Sequence, residues 1–204
     1  MQQSFLLAFA AMIGATIAAP KIPLRTAAGT INARQNRPCF AIGNEELPEE
    51  TANIENELAS IIQCDTSVQT LSGVPDVSSN GLKYSAVDFS TSGMTPLEFS
   101  LNMFTTADQF GKTLADTDLE LFENALNVYL ATEVGIRSVG GDLAIKVPKF
   151  FLEFQISRIQ TAQGNPPEEA GLQIDHLRDK VLKNAPREDQ QLLDEVTRLA
   201  TVRA

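Results

Sequence analysis

Residues 148–162, PKFFLEFQISRIQTA, decide the fold more than any other stretch of the sequence. Pro148 suits the first turn of a helix. Four of the next positions are bulky and apolar, Phe150, Phe151, Leu152 and Phe154, and they do not fit on one helical face. A helix that is apolar on several sides must be buried on several sides. We therefore predict that a central helix runs from Pro148 to about Ala162.

Two amphipathic helices are predicted on the C-terminal side of this central helix. The first is capped by residues 165–168 (NPPE), and its apolar stripe is Ala170, Ile174, Leu177 and Val181. The second begins near Pro186, and its apolar face is Leu192, Leu193, Val196, Leu199 and Ala200. Short turns marked by Gly or Pro join the last three helices, which favours antiparallel neighbours.

Two capping boxes mark helices on the N-terminal side. Residues 95–98 (TPLE) open a helix that we expect to continue through Ala107, with Phe99 and Met103 on a second apolar face. Residues 117–120 (TDLE) open another, with a stripe that includes Phe122 and Tyr129 and an end around Gly135. Residues 139–142 (VGGD) then form a turn.

The first third of the domain is predicted to be less regular. A first helix spans Pro48 to Gln63, with Cys64 at its end. Asp65 to Gly93 is rich in Ser, Thr, Gly, Asp and Pro, so we predict a long connection with at most one short strand pair. Loops of this length in a compact domain are often functional. The fold class is therefore mainly α, an irregular bundle of five or six helices with a loop-rich N-terminal third, forming one domain over residues 38–204.

The N-terminus, MQQSFLLAFAAMIGATIAAP, is typical of a signal peptide. Its apolar run is too short to span a bilayer, and small residues precede the expected cleavage site. Cleavage after Ala18 is preferred to cleavage after Ala19, since Pro20 would follow the second site directly. Residues 1–18 are thus predicted to be removed, and the protein to be secreted. A buried N-terminal helix is the alternative, because no Lys or Arg precedes the apolar run.

Charge separates a basic leader from an acidic domain. Residues 19–37 contain four basic residues, no acid and no hydrophobic periodicity, so we predict disorder, as a flexible leader or a pro-segment. The net charge of the chain is −10, but from Pro38 onward twelve basic residues face twenty-six acidic ones, a balance of −14. This balance argues against nucleic acid and anionic lipid as partners. No later stretch is apolar enough for integral membrane association.

The two cysteines, Cys39 and Cys64, lie in the exported part of the chain. In an oxidising compartment a disulfide between them is expected. It would close a loop of about 26 residues, which stabilises the fold by roughly 3–4 kcal/mol on the chain-entropy model. Two free buried thiols are the alternative.

The sequence contains no motif of a familiar catalytic site. His176 is the only histidine, and it lies beside Asp175 and Arg178 on the solvated edge of a helix. Nucleophile-elbow, P-loop and zinc-protease motifs are missing. Carboxylates are plentiful, yet Glu168 and Glu169 are adjacent at a helix start and diverge, and the chain has no Trp to line a sugar groove. We therefore predict no catalytic, cofactor-binding or metal-binding residues, and no cofactor.

Three functions stay open on the residues alone. The first is an interaction protein that contacts a partner through a helical face or through the Asp65–Gly93 connection. The second is a binder of small apolar ligands or hydrophobic surfaces, in a cavity between Phe-rich helices. The third is an enzyme that carries no recognisable motif. We favour the first, a secreted protein without enzymatic activity that binds another protein.

Four stretches are typical of one class of secreted protein: MQQSFLLAFAAMIGATIAAP (1–20), KIPLRTAAGTINARQNR (21–37), SAVDFSTSGMTPLEFSLNMF (85–104) and IRSVGGDLAIKVPKFFLEFQISRIQTAQGNPP (136–167). With a compact domain of few cysteines, they make the chain resemble small secreted proteins of filamentous fungi. The resemblance is one of type and assigns no functional residue. It implies an effector, a virulence factor that binds a host protein outside the host cell or after uptake. Most effectors of the apoplast have more cysteines, which favours action inside the host cell.

Overall fold

The computed structural model describes residues 37–202. The predicted signal peptide with its cleavage site at Ala18 or Ala19, and the predicted leader up to residue 36, lie outside the described residues. The described part contains six α-helices and three short strands. Their bounds are α1 Glu49–Leu58, β1 Gln63–Gln69, β2 Pro75–Ser79, β3 Leu82–Lys83, α2 Pro96–Met103, α3 Leu119–Ser138, α4 Lys146–Ala162, α5 Ile174–Asn184 and α6 Gln190–Thr201. The prediction of a mainly α fold with five or six helices is confirmed.

Helix α4 is the centre of the bundle. It contacts α2, α3 and α5, which together surround it on several sides. Phe151, Leu152 and Phe154 are fully buried, and the rings of Phe151 and Phe154 lie 6.0 Å apart between centroids. Apolar residues on more than one side of this helix are therefore buried, as their spacing predicts.

Helix α3 extends three residues beyond the predicted end at Gly135. It contacts α1, α4 and β2, so its last turns are buried. A Cβ atom on Gly135 would lie 2.6 Å from the carbonyl oxygen of Phe40 and 2.6 Å from Cγ2 of Val74. Gly135 is therefore a packing position within the helix and does not end it.

The Asp65–Gly93 segment is more ordered than the predicted connection. Strands β1, β2 and β3 form an antiparallel sheet in that order, with Cys64 opposite Val77 and Ser79 opposite Leu82. The first helix ends at Leu58, so residues up to Gln63 do not belong to it as predicted. Most side chains of β1 are exposed and polar, and they carry no apolar alternation that would indicate a strand.

The disulfide between Cys39 and Cys64 is present, with 6.1 Å between the two Cα atoms. Cys64 lies in β1 and not at the end of a helix as expected, because α1 is shorter. The bond links the start of the described chain to the sheet. The neighbouring residue, Phe40, is fully buried.

Several helix ends differ from the predictions because local turns replace the last or first helical turn. Helix α2 ends at Met103, before a 3₁₀ turn at Ala107–Phe110, and does not reach Ala107. Helix α5 begins only at Ile174, since the predicted cap at residues 165–168 is followed by a 3₁₀ turn at Ala170–Leu172. Helix α6 begins at Gln190 with Asp189 as its N-cap, later than the predicted start near Pro186.

Helix α4, in contrast, starts slightly earlier than predicted, at Lys146. The N-cap of α3 is Asp118, whose carboxylate accepts a hydrogen bond from the Leu121 N–H at 3.3 Å. The predicted cap, Thr117, instead accepts a hydrogen bond from the Ala107 N–H at 2.9 Å. The N-cap is therefore one residue later than the capping-box pattern predicts.

Candidate interaction surface

The residues considered for catalysis do not converge in the described part of the chain. His176 is exposed on α5, and Glu168 and Glu169 are exposed in the turn before it. Among residues 37–202, no group of three or more His, Cys, Asp or Glu side chains is placed to hold a metal ion. These positions therefore do not define the candidate site.

Several of the phenylalanines expected around an apolar ligand pack against other aromatic rings. The rings of Phe99 and Phe104 meet edge to face at 6.0 Å between centroids, and those of Phe104 and Tyr129 at 5.8 Å. Both phenylalanines and the tyrosine are almost completely buried. Edge-to-face pairs of this kind stabilise the core itself.

An apolar groove lies where the end of α2, the start of α3 and the segment after β3 meet. It has a volume of about 250 Å³. The groove, called the α2–α3 groove below, is lined by Leu82, Val87, Met103, Phe104, Thr105, Leu121, Phe122 and Ala125. Leu82 and Val87 belong to the Asp65–Gly93 segment, which the sequence indicates as a contact surface.

The groove has exposed apolar walls and a buried floor. Met103 is 43% exposed and Leu121 is 53% exposed, so both present apolar surface at the groove. Phe104 and Phe122 are each only 5% exposed and form the floor. A ligand in the groove would therefore cover Met103 and Leu121 and rest on two buried aromatic rings.

Tyr129 contacts both the floor and one wall of the groove. Its ring packs against Phe104 and, at 5.2 Å, against the ring of Tyr84. Its hydroxyl donates a 2.6 Å hydrogen bond to the carbonyl oxygen of Val87. Burial raises the pKa of Tyr129, so the hydroxyl stays protonated and remains a donor. The floor and the Val87 wall are thus joined by one side chain.

Two carboxylates order the segment that carries the Val87 wall. The buried Asp76 accepts hydrogen bonds from the Ser85 N–H at 2.9 Å and from the Ser85 hydroxyl at 2.7 Å. Asp88 accepts from the N–H and the hydroxyl of Ser90 at 2.9 and 2.7 Å. These bonds replace regular secondary structure, so the groove has a preformed wall where the sequence predicts a loop.

A second polar network joins the β2–β3 turn to α3. The Asn80 amide donates to the Glu120 carboxylate at 2.7 Å. Ser79 donates to Asn124 at 2.8 Å and accepts from Asn127 at 3.2 Å. The two sides of the groove are therefore tied together directly, which favours a pre-organised binding surface.

Acidic side chains lie next to the groove residues along the start of α3. The first turns of α3 carry Leu121 and Phe122, and they also carry the exposed carboxylates of Asp118, Glu120 and Glu123. On the β3 side lies Lys83, whose ammonium is 3.4 Å from Asp65 and 3.9 Å from Asp76. The groove is therefore apolar, and carboxylates lie beside its residues on α3.

Leu121 and Met103 are site residues that the sequence reasoning missed. Leu121 follows the acidic Glu120 and lies outside the apolar stripe predicted for α3. An apolar residue outside such a stripe is expected to be exposed, and this is the signal that could have identified Leu121. Met103 was expected to be buried on a second face of α2, and this is wrong because α2 ends there.

A family model, described as a domain of unknown function (DUF7143), matches residues 41–204 of the chain. Searches of curated proteins and of solved structures found no match. Within the part of the chain that the structure describes, no helix has both the length and the apolar character needed to cross a bilayer. Since the match covers most of the sequence, the chain belongs to the DUF7143 family.

Proposed function

We propose that this chain is a secreted binding protein that holds a basic, apolar segment of a protein partner in the α2–α3 groove. The observation that carries the proposal is the pair of exposed apolar walls, Met103 and Leu121, on a floor fixed by Tyr129. Preformed apolar sites with a polar rim are typical of protein interfaces. The acidic side chains on α3 select a partner with Lys or Arg beside its apolar residues.

The setting of this activity is proposed to be extracellular, with a host protein as the partner. The Cys39–Cys64 disulfide is compatible with an oxidising compartment, and the N-terminus is typical of a signal peptide. The resemblance to small secreted fungal proteins supports an effector role in virulence, with uptake into the host cell as the further step. In this role the protein acts by binding and not by catalysis.

Neutral polar substitutions in the groove test the proposal. Leu121→Ser and Met103→Ser remove apolar surface without changing charge, and each is expected to weaken partner binding about tenfold or more, as for a central interface residue. Leu172→Ser is the matched control, since Leu172 is 43% exposed but does not line the groove.

The measurement is comparative affinity capture from host tissue with residues 38–204 as bait, followed by titration of the captured protein. The proposal predicts one protein held by wild type and Leu172→Ser and lost by Leu121→Ser. Equal capture by all three baits would contradict it. Displacement of the partner by a fluorescent fatty acid, with no basic partner segment in contact, would favour the apolar-ligand function instead.

A further inference from the structure

A second pocket lies where helices α1, α3, α4 and α5 converge, and it differs from the groove in character. Its volume is about 150 Å³. Four basic and two acidic side chains line it: Arg137, Lys146, Lys149, Lys180, Glu50 and Glu133. This pocket therefore has more cations than anions in a domain whose balance is −14.

Glu133 is neutralised within this pocket. It is only 4% exposed, and its two carboxylate oxygens lie 2.6 Å from Nη2 of Arg137 and 3.0 Å from Nζ of Lys149. One buried carboxylate therefore fixes two cations in place. This arrangement satisfies the charge of Glu133 and leaves the pocket with a surplus of positive charge.

The surplus comes from Lys146 and Lys180. Within the described residues, neither ammonium lies within 4.0 Å of a carboxylate. Lys180 lies 5.7 Å from the centroid of the Phe150 ring, which Lys149 approaches from 4.1 Å. Two ammonium groups near one ring repel each other, and an anion bound between them would offset this repulsion.

The position of the lysines on α4 is also electrostatically unfavourable for the helix alone. Lys146 is its first residue, Lys149 follows three residues later, and its first turn contains no acid. The N-terminus of a helix carries a partial positive charge, which disfavours cations by a few tenths of a kcal/mol each. Glu133 compensates Lys149, so Lys146 is the cation whose cost a bound anion would offset.

A nearby carboxyl group carries only part of its negative charge near neutral pH. Burial raises the pKa of Glu153 to about 7, and the carboxylates of Glu133 and Glu50 add to the rise, while Lys149 and Lys180 oppose it. Glu153 is therefore partly protonated near neutral pH. Glu50 is the remaining lining carboxylate, and it is exposed at the pocket rim.

We propose that this pocket binds a small oxyanion, the phosphate or carboxylate group of a ligand, between Lys146, Lys180 and Arg137. Lysine and arginine donors from three helices surround such a group and share its charge. Hydrogen bonds to a charged group contribute enough that losing one lysine weakens binding about tenfold.

The test uses inorganic phosphate and malonate as probes at neutral pH, with sodium chloride at matched ionic strength. Either probe is expected to raise the melting temperature of the wild-type protein above that in chloride, and isothermal titration then gives its dissociation constant. A rise with phosphate alone identifies a phosphate site, and a rise with malonate alone identifies a carboxylate site.

Three variants locate the effect. Lys146→Met and Lys180→Met keep the side-chain stem and remove one charge each, and each is expected to weaken binding about tenfold. Lys183→Met is the matched control, because Lys183 is exposed on the same helix as Lys180 and does not line the pocket. If neither probe stabilises the wild type beyond chloride, or if Lys183→Met loses as much affinity as Lys180→Met, the proposal is wrong.

Discussion

Gly135 allows the segments around Phe40 and Val74 to pack closely against α3. It lies inside α3, yet the backbone of Phe40 and the side chain of Val74 reach the place where a Cβ atom would be. Sequence reasoning identifies a glycine at this point as the end of a helix, because glycine usually weakens helices. The close approach that explains it involves residues distant in sequence, so only the structure shows it.

Replacing Gly135 by alanine is expected to destabilise the protein by about 1–3 kcal/mol, because the contacts at 2.6 Å outweigh the gain in helix propensity. Gly171→Ala is the control, since nothing lies within 4 Å of a Cβ at that position. Urea unfolding measures both. A Gly135→Ala protein as stable as the wild type would show that the elements around α3 are less tightly packed than described.

Glu153 makes stability depend on pH. Its pKa of about 7 in the folded protein exceeds the ordinary value of 4.5, so the folded state binds the proton more tightly than the unfolded state. The associated stabilisation is complete below about pH 4.5 and is lost as the pH rises through 7. The full effect is on the order of 3 kcal/mol.

Glu153→Gln is therefore expected to remove much of the fall in unfolding free energy between pH 4.5 and 7 and to stabilise the protein above pH 7. Glu57→Gln, at an exposed position on α1, is the control and should leave the pH profile unchanged. Urea titrations across this range measure the effect. Parallel profiles for wild type and Glu153→Gln would contradict the assignment.

Among the elements, α2 is capped partly by a residue from far along the chain. Thr95 accepts from the Glu98 N–H at 3.3 Å, as the capping box predicts. Glu188, between α5 and α6, caps the same end: its carboxylate accepts from the Thr95 hydroxyl at 2.6 Å and from the Leu97 N–H at 3.3 Å. Glu188 therefore joins the start of α2 to the last helices.

Glu188→Ala is expected to cost about 1 kcal/mol of unfolding free energy, as for the loss of a helix cap. Glu98→Ala removes the carboxylate that the local pattern favours and is expected to cost less. Chemical unfolding of the two variants compares them directly. A larger loss of unfolding free energy for Glu98→Ala would show that Glu98 stabilises the helix more than Glu188 does, which would contradict the long-range cap.

The helices could be predicted because their apolar spacing is local information, and α4 is the strongest example. The three strands of the sheet could not be predicted, because Gln63–Gln69 exposes polar side chains and Pro75–Ser79 buries the polar Asp76, so neither strand alternates.

Only part of the α2–α3 groove could be predicted from the sequence. Its Asp65–Gly93 side is indicated by composition, whereas the exposure of Met103 and Leu121 depends on where the helices end and meet.

At the scale of the whole molecule, the two proposed sites differ in the ligand each favours. The α2–α3 groove is apolar with acidic side chains nearby, and it suits a basic segment of a protein. The pocket near Lys146 is rich in cations and suits a small oxyanion. The two proposals are separable, since no residue lines both sites.

Site-specific photo-crosslinking tests the central claim, that the α2–α3 groove holds the protein partner. A photoreactive amino acid replaces Leu121 in one protein and Leu172 in another, and each is irradiated in host extract. We predict that the Leu121 probe crosslinks the same protein that the wild type captures, while the Leu172 probe does not. A crosslink to that protein from position 172 and none from position 121 would contradict the claim.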